Sequence, residues 1–171
     1  LSAAALGTAA FLARPAAAQT APASRPAGAA LPVNDPGASG RWRPPQRLGL
    51  GCQPLSNGFG KVVSPATAIA TVESAWDSGM RLFDTSPWYG LGRSERRIGA
   101  VLSTKPRDEF TLSTKVGRVL EPDAGLALRR VANWAEAPAF RYRYDYSADG
   151  TRRSIEDSLQ RLGLSRIDIV F

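Results

Sequence analysis

The sequence predicts an α/β fold on a parallel sheet, specifically a (β/α)8 TIM barrel of which this chain supplies about the first four β/α units. Three observations lead there. Four short apolar runs bounded by turn residues alternate with three segments of helical period, the order that makes parallel strands with helices over the sheet faces. The signature of the competing architecture, an open doubly wound sheet with a dinucleotide site, is missing: Gly49 and Gly51 have G-x-G spacing, but Gln53-Pro54 follow and no third glycine stands in place. Polar residues capable of chemistry, Asp84, Tyr89 and Lys115, fall at or just past the C-terminal ends of the predicted strands, where a parallel barrel carries its site.

The elements follow in order. Residues 47–52 read as the first strand, and the loop after it has turn signals at Asn57-Gly58 and Gly60. Ser64 caps a helix with Pro65 at its first position, Ile69, Val72 and Trp76 share one face, and Gly79 stops it. Residues 81–84 are the second strand. Ser94 opens a second helix, with Ile98, Val101 and Leu102 inward, and the Lys105-Pro106 step ends it. Residues 110–116 are the third strand. Residues 117–150 read as a long excursion, marked by Pro122, Pro138 and the aromatic cluster Tyr142, Tyr144 and Tyr146. Helix returns at Thr151, with Ile155, Leu159 and Leu162 on one face and Gly163 as the stop, and residues 167–171 are the fourth strand. Gly60-Lys61 lacks both the following hydroxyl and the preceding glycine of a phosphate loop, and no Tyr-x-x-x-Lys pairing of the short-chain dehydrogenase kind occurs.

Ahead of the barrel, residues 1–18 read as a secretory signal peptide whose charged start is missing. LSAAALGTAAFLA is an apolar stretch of 13 residues, shorter than the roughly 20 that span a bilayer. Ala16 and Ala18 fit an A-x-A cleavage site before Gln19. Residues 19–45, rich in Pro, Ala and Gly, are the expected linker, and residues 46–171 the expected N-terminal half of the barrel. Periplasmic or secreted placement follows, with no membrane span in the mature chain and a cytoplasmic location as the alternative. Because nicotinamide cofactors are cytoplasmic, a cofactor-loaded protein would leave by a twin-arginine route. The chain begins without methionine and stops within an apolar run at Phe171, so the sequence is expected to continue at both ends.

Composition narrows the chemistry. The formal charge is +7, but the 22 basic residues are scattered and the longest pure runs are pairs such as Arg129-Arg130 and Arg152-Arg153. That reads as a solvated arginine-rich surface, not a nucleic-acid footprint. One cysteine and no histidine leave no disulfide framework and no metal centre of thiolates or imidazoles.

Reducing a carbonyl by hydride leaves an alkoxide that needs a proton. A tyrosine hydroxyl, with an ordinary pKa of about 10, delivers it when a lysine ammonium nearby favours the phenolate and an aspartate holds that lysine. Tyr89, Lys115 and Asp84 are candidates for those roles; spacing alone favours the plainer reading of a loop cap, a packed aromatic and a solvated strand end.

The blocks LGLGCQPL, RLFDTSPWYGLGRSERRIG, FTLSTKVGR and DYSADGTRRSIEDSLQRLGLSRIDIVF, in this order and spacing, resemble the aldo-keto reductases, in particular their aldose and pyridoxal dehydrogenase branch. The resemblance covers residues 47–119 and 145–171. It implies a (β/α)8 barrel moving a hydride between NADP or NAD and a sugar or other aldehyde. It implies Tyr89 as general acid or base, Lys115 and Asp84 as its tuning pair, and Gly51, Cys52 and Gln53 as walls near the nicotinamide. Asp84 is also expected to approach the cofactor ribose, and Trp88 to line the substrate pocket. The family's catalytic histidine and its main cofactor phosphate contacts are expected beyond Phe171, so the chain alone is expected to be inactive. A non-catalytic, cofactor-sensing or partner-binding barrel and an inactive fragment stay open as alternatives.

Overall fold

The computed structural model describes residues 33–34 and 43–171. The predicted signal peptide lies outside the described residues, as does the predicted linker apart from residues 33–34 and 43–45. Val33 forms an antiparallel bridge with Gln46, and the Asn34 N–H donates to the Pro45 carbonyl at 2.7 Å.

In chain order the elements are β1 (Leu50–Gly51), α1 (Pro65–Asp77), β2 (Leu82–Asp84), α2 (Arg93–Leu102), β3 (Thr111–Thr114), β4 (Gly117–Pro122), β5 (Phe140–Asp145), α3 (Ala148–Leu162) and β6 (Ile169–Val170). Strands β1, β2, β3 and β6 form one sheet in that order, every pair parallel. A doubly wound sheet reverses its strand order at a switch point. These four strands advance in one direction without reversal, as barrel strands do, and the predicted barrel architecture stands.

The register sets which side chains look inward. Gly51 lies opposite Asp84, Asp84 opposite Ser113, and Ser113 opposite Ile169, so the four form one row across the sheet. Successive residues of a strand alternate faces. Asp84 and Ser113 therefore line the barrel's interior side, together with Leu82, while Phe83 turns outward beneath the helices and is fully buried. The main core lies between sheet and helices: Cys52, Leu55, Val72, Trp76, Phe83, Ile98, Leu102, Phe110, Leu112 and Leu162. Phe110 meets Phe83 and Trp76 edge-on at 6.2 and 6.0 Å between ring centroids. Each such large apolar side chain contributes about 1.5–3 kcal/mol on burial.

Helix α1 starts as predicted: Ser64 is the cap, its hydroxyl accepting from the Thr67 N–H at 3.0 Å, and Pro65 is first in the helix. Its buried stripe is Ala68, Val72 and Trp76, with Ile69 at the margin. Three expectations need correction. Ser94 does not open α2: Gly92 is the cap, and Ser94 sits inside the first turn, fully buried, with its hydroxyl in a polar chain described below. Helix α3 begins three residues before Thr151, because the Ser147 hydroxyl accepts from the Gly150 N–H at 3.1 Å and satisfies the first turn. Its buried seam is Gly150, Ser154, Ser158 and Leu162, with Ile155 and Leu159 only half-buried. Small residues suit this close packing: a Cβ on Gly99 of α2 would stand 2.3 Å from the Leu162 carbonyl oxygen.

The excursion at residues 117–150 is the third correction. It contains an antiparallel hairpin, β4 paired with β5 from Gly117–Asp145 to Pro122–Phe140. Beneath the hairpin a second small core gathers Leu91, Leu120 and Ala137, with Trp88, Val131 and Phe140 against it.

Candidate active site

The site forms where β2 and β3 end. Asp84 is the last residue of β2, and Lys115 follows β3 directly. The Lys115 ammonium donates to Asp84 Oδ1 at 2.9 Å, to Asp84 Oδ2 at 2.8 Å and to the Thr85 carbonyl at 2.9 Å. All three ammonium protons thus have acceptors, which fixes a flexible side chain in one place. The Ser113 hydroxyl adds a fourth contact to the group, donating to Asp84 Oδ1 at 2.7 Å. Both ends of the ion pair remain partly open, with 33% of the Lys115 and 37% of the Asp84 side chain exposed.

Tyr89 sits on the loop after β2, with Lys115 Nζ 4.8 Å from its ring centroid. The structure therefore brings together the predicted trio of Asp84, Tyr89 and Lys115. The ammonium faces the tyrosine ring, and the Tyr89 hydroxyl makes no hydrogen bond among the described residues. The loop is tightly wound: Gly90, Leu91 and Gly92 all have positive φ, at 64°, 52° and 82°. A Cβ on Gly90 would stand 2.5 Å from the Ser56 carbonyl oxygen, so both conformation and space require glycine there. The Ser94 N–H donates to the Tyr89 carbonyl at 3.1 Å, tying the tyrosine to the start of α2.

Two polar chains hold the strand ends in place. In the first, the Thr85 hydroxyl donates to Ser94 Oγ at 2.9 Å, and the Ser94 hydroxyl to the Cys52 carbonyl at 3.0 Å. In the second, the Thr114 hydroxyl donates to Glu95 Oε1 at 2.9 Å, and Arg161 Nε donates to Glu95 Oε2 at 2.5 Å. Glu95 is fully buried, so its charge is balanced inside the protein by Arg161 of α3. Ser113, Glu95 and Arg161 carry no role in the sequence reading, and Ser94 figures there only as a helix start. The legible signal was only that Ser113 stands two positions before Lys115 on one strand, hence on the same face.

The remaining predicted residues are placed as follows. Gly51 ends β1 on the interior row, and a Cβ added there would meet no atom within 4 Å. Gln53 is half-buried in the turn after it. Cys52 is fully enclosed in the core; its N–H donates to the Asp84 carbonyl at 2.9 Å and its carbonyl accepts from Ser94. Burial, followed by the nearby Asp84 charge, pushes its thiol up to about 12. Cys52 thus presents no surface, and Gly51 and Gln53 are the members of that predicted wall that remain accessible. Trp88 is half-buried, packed edge-on against Tyr142 at 4.7 Å and Trp134 at 5.7 Å. Trp134, at 6.1 Å from the Tyr89 ring, closes the cluster and was not anticipated.

A one-directional parallel sheet with an Asp–Lys pair and a tyrosine at its C-terminal mouth is the arrangement of a (β/α)8 barrel, and sequence comparison agrees with that class. A profile of the Aldo/keto reductase family matches residues 47–171. The chain belongs to the aldo/keto reductase family. Over 157 residues it is 41% identical to a D-threo-aldose 1-dehydrogenase from Pseudomonas sp., an alignment covering 89% of this chain and 43% of that protein. It is 43% identical over 132 residues to a pyridoxal 4-dehydrogenase from Microbacterium luteolum, covering 72% of this chain and 38% of that protein. The chain thus spans about two fifths of the length of these relatives. Among solved structures, a glycerol dehydrogenase from Gluconobacter oxydans superposes with a TM-score of 0.54 at 27% identity, over 73% of this chain and 34% of that one. An aldo-keto reductase from Bacillus halodurans in its holo form gives 0.52 at 26% identity, over 73% and 35%.

Proposed function

We propose that this protein is an NAD(P)-dependent oxidoreductase that interconverts an aldose or another aldehyde with its alcohol or lactone, with Tyr89 as the proton donor and acceptor. The observation that carries the reading is the Asp84–Lys115 ion pair, anchored at three acceptors and set 4.8 Å from the Tyr89 ring. The names of the similar dehydrogenases support the substrate class.

The residues present fit a nicotinamide. Gly51 stands opposite Asp84 in the register, and no atom lies within 4 Å of where a side chain at Gly51 would begin, so a flat ring can approach the backbone there. Gly51, Gln53 and Asp84 are the residues of this chain that would border the ring and its ribose. When bound, the cofactor supplies or accepts the hydride. In the reducing direction the Tyr89 O–H bond breaks as the substrate alkoxide gains the proton, and the ammonium beside the ring stabilises the phenolate left behind. Asp84 acts through Lys115: it keeps the ammonium charged and pointed, and is a positioning residue for the tyrosine. In the oxidising direction the same groups receive the proton from the substrate hydroxyl.

The test is turnover by the purified full-length protein with a panel of aldoses and simple aldehydes, with NAD and NADP in turn, followed by nicotinamide absorbance. Steady turnover with any pair supports the reading, and none with every pair removes it. Export through residues 1–18 is a separate proposal. An N-terminus at Gln19 in the mature protein, read by mass spectrometry, supports it, and retention of residues 1–18 overturns it.

A further inference from the structure

The β4–β5 hairpin carries three arginines, and they are not alike. Arg141 and Arg143 lie on one face, paired with Glu121 at 3.0 and 2.8 Å, and Arg143 also reaches Asp145 at 2.6 Å. Arg118 lies opposite Tyr144 in the register, and residues directly opposite share a face, so Arg118, Tyr142 and Tyr144 line the other side. Among the described residues Arg118 has no acidic partner.

Its guanidinium is instead held by aromatic rings. The central carbon is 4.4 Å from the Trp88 centroid, 5.2 Å from that of Tyr144 and 5.4 Å from that of Tyr142. Nη2 donates to the Tyr144 hydroxyl at 3.0 Å. Among the described residues Nε is enclosed without an acceptor and Nη1 makes no hydrogen bond. Rings over the guanidinium faces and an enclosed Nε leave the Nη1–Nη2 end as the part able to bind, and two N–H groups there match the two oxygens of a carboxylate or phosphate. The position adjoins the candidate site along the chain: Trp88 precedes Tyr89, and Arg118 follows Lys115 by three residues. Among the described residues its charge thus meets aromatic rings and no carboxylate, on a shelf whose Trp88 adjoins Tyr89 in the chain, while Arg141 and Arg143 are paired with acids.

We propose that Arg118, seated on Trp88 and Tyr144, is the subsite for an anionic group, phosphate or carboxylate, carried by the carbonyl substrate at its end remote from the reacting carbon. The inference rests on the oxidoreductase reading above. It makes Arg118 a specificity-determining residue, with a fixed fork that selects substrates by charge at their tail.

The experiment compares kcat/KM of the full-length protein for D-glyceraldehyde against D-glyceraldehyde 3-phosphate, and for D-glucose against D-glucuronate, so that the two arms separate phosphate from carboxylate. Wild type is expected to prefer the anionic member of at least one pair by roughly tenfold or more, the worth of a hydrogen-bonded charge pair. In Arg118→Gln that ratio is expected to fall towards one, through KM for the anionic member, while Arg118→Lys keeps part of it. Absence of any preference in wild type overturns the subsite. So does an equal loss for both members of each pair in Arg118→Gln, which would make Arg118 a brace for the hairpin. Calorimetric titration of cofactor-free protein with D-glyceraldehyde 3-phosphate reads the subsite without turnover. Binding by wild type that Arg118→Gln abolishes upholds the subsite even where no aldehyde is turned over, in which case only the oxidoreductase reading falls.

Discussion

Lys115 Nζ straddles the two carboxylate oxygens of Asp84 at 2.9 and 2.8 Å, across the junction of adjacent strands. The pair is partly solvated, so its worth lies in geometry more than in stability. Exposed pairs contribute about 0–1 kcal/mol. Asp84→Asn is accordingly expected to shift unfolding free energy by no more than about 1 kcal/mol. Activity should respond differently: kcat is expected to fall on the order of 100-fold with little change in KM, because the ammonium loses the anion that orients it. Urea denaturation and steady-state kinetics on the same preparation separate the two effects.

Glu95 and Arg161 behave in the opposite way, because Glu95 is wholly enclosed. Removing one partner strands the other charge, at a cost of about 3–5 kcal/mol. Arg161→Met should therefore destabilise strongly, and the double variant Glu95→Leu with Arg161→Met should recover most of the loss. Chemical denaturation of the three proteins checks this; a double variant no better than the single one contradicts it.

Gly90→Ala puts a Cβ against the Ser56 carbonyl at a φ of 64°. The expected cost is about 1–3 kcal/mol of stability, together with lower kcat from a displaced Tyr89. Thermal unfolding and kinetics measure both; unchanged values would show that the loop yields without cost.

Cys52 supplies a pH signature. Its thiol is held protonated, up to about 12 against an ordinary 9.0, mainly by burial. A raised folded value means that the native state binds this proton more tightly than the unfolded chain does. The stabilisation is complete below about pH 9 and is lost as pH rises from there towards 12. A disulfide reagent at pH 8 should therefore leave the native thiol unmodified and titrate one thiol after denaturation. Rapid modification of the native protein would contradict this.

Much of this was legible in the sequence, for identifiable reasons. The four parallel strands and α1 announce themselves through apolar runs, a Ser-Pro start and a glycine stop, and Asp84, Tyr89 and Lys115 stand out because strand ends in a parallel sheet converge on one mouth. The hairpin was hidden because Arg-Val-Leu-Glu in its first strand does not alternate, Arg-Tyr-Arg-Tyr in its second alternates charge with aromatic rings in place of polar with apolar, and Pro122 suggested a break. The start of α3 was masked by Gly150, a poor helix former rescued by the Ser147 cap. Ser94 has the look of a cap, and only tertiary contact with Thr85 and Cys52 shows that its hydroxyl is used inward. The roles of Glu95 and Arg161 depend on residues far apart in the chain meeting, which no local pattern reveals.

The central claim is that Tyr89 moves the proton, and one substitution tests it most directly. Tyr89→Phe in the full-length protein removes one oxygen and keeps the ring beside Lys115. With the fold confirmed by circular dichroism, kcat for the best aldehyde substrate is expected to drop about 10²–10⁴-fold. A kcat within about twofold of wild type, far short of the contribution of a general acid, would contradict it.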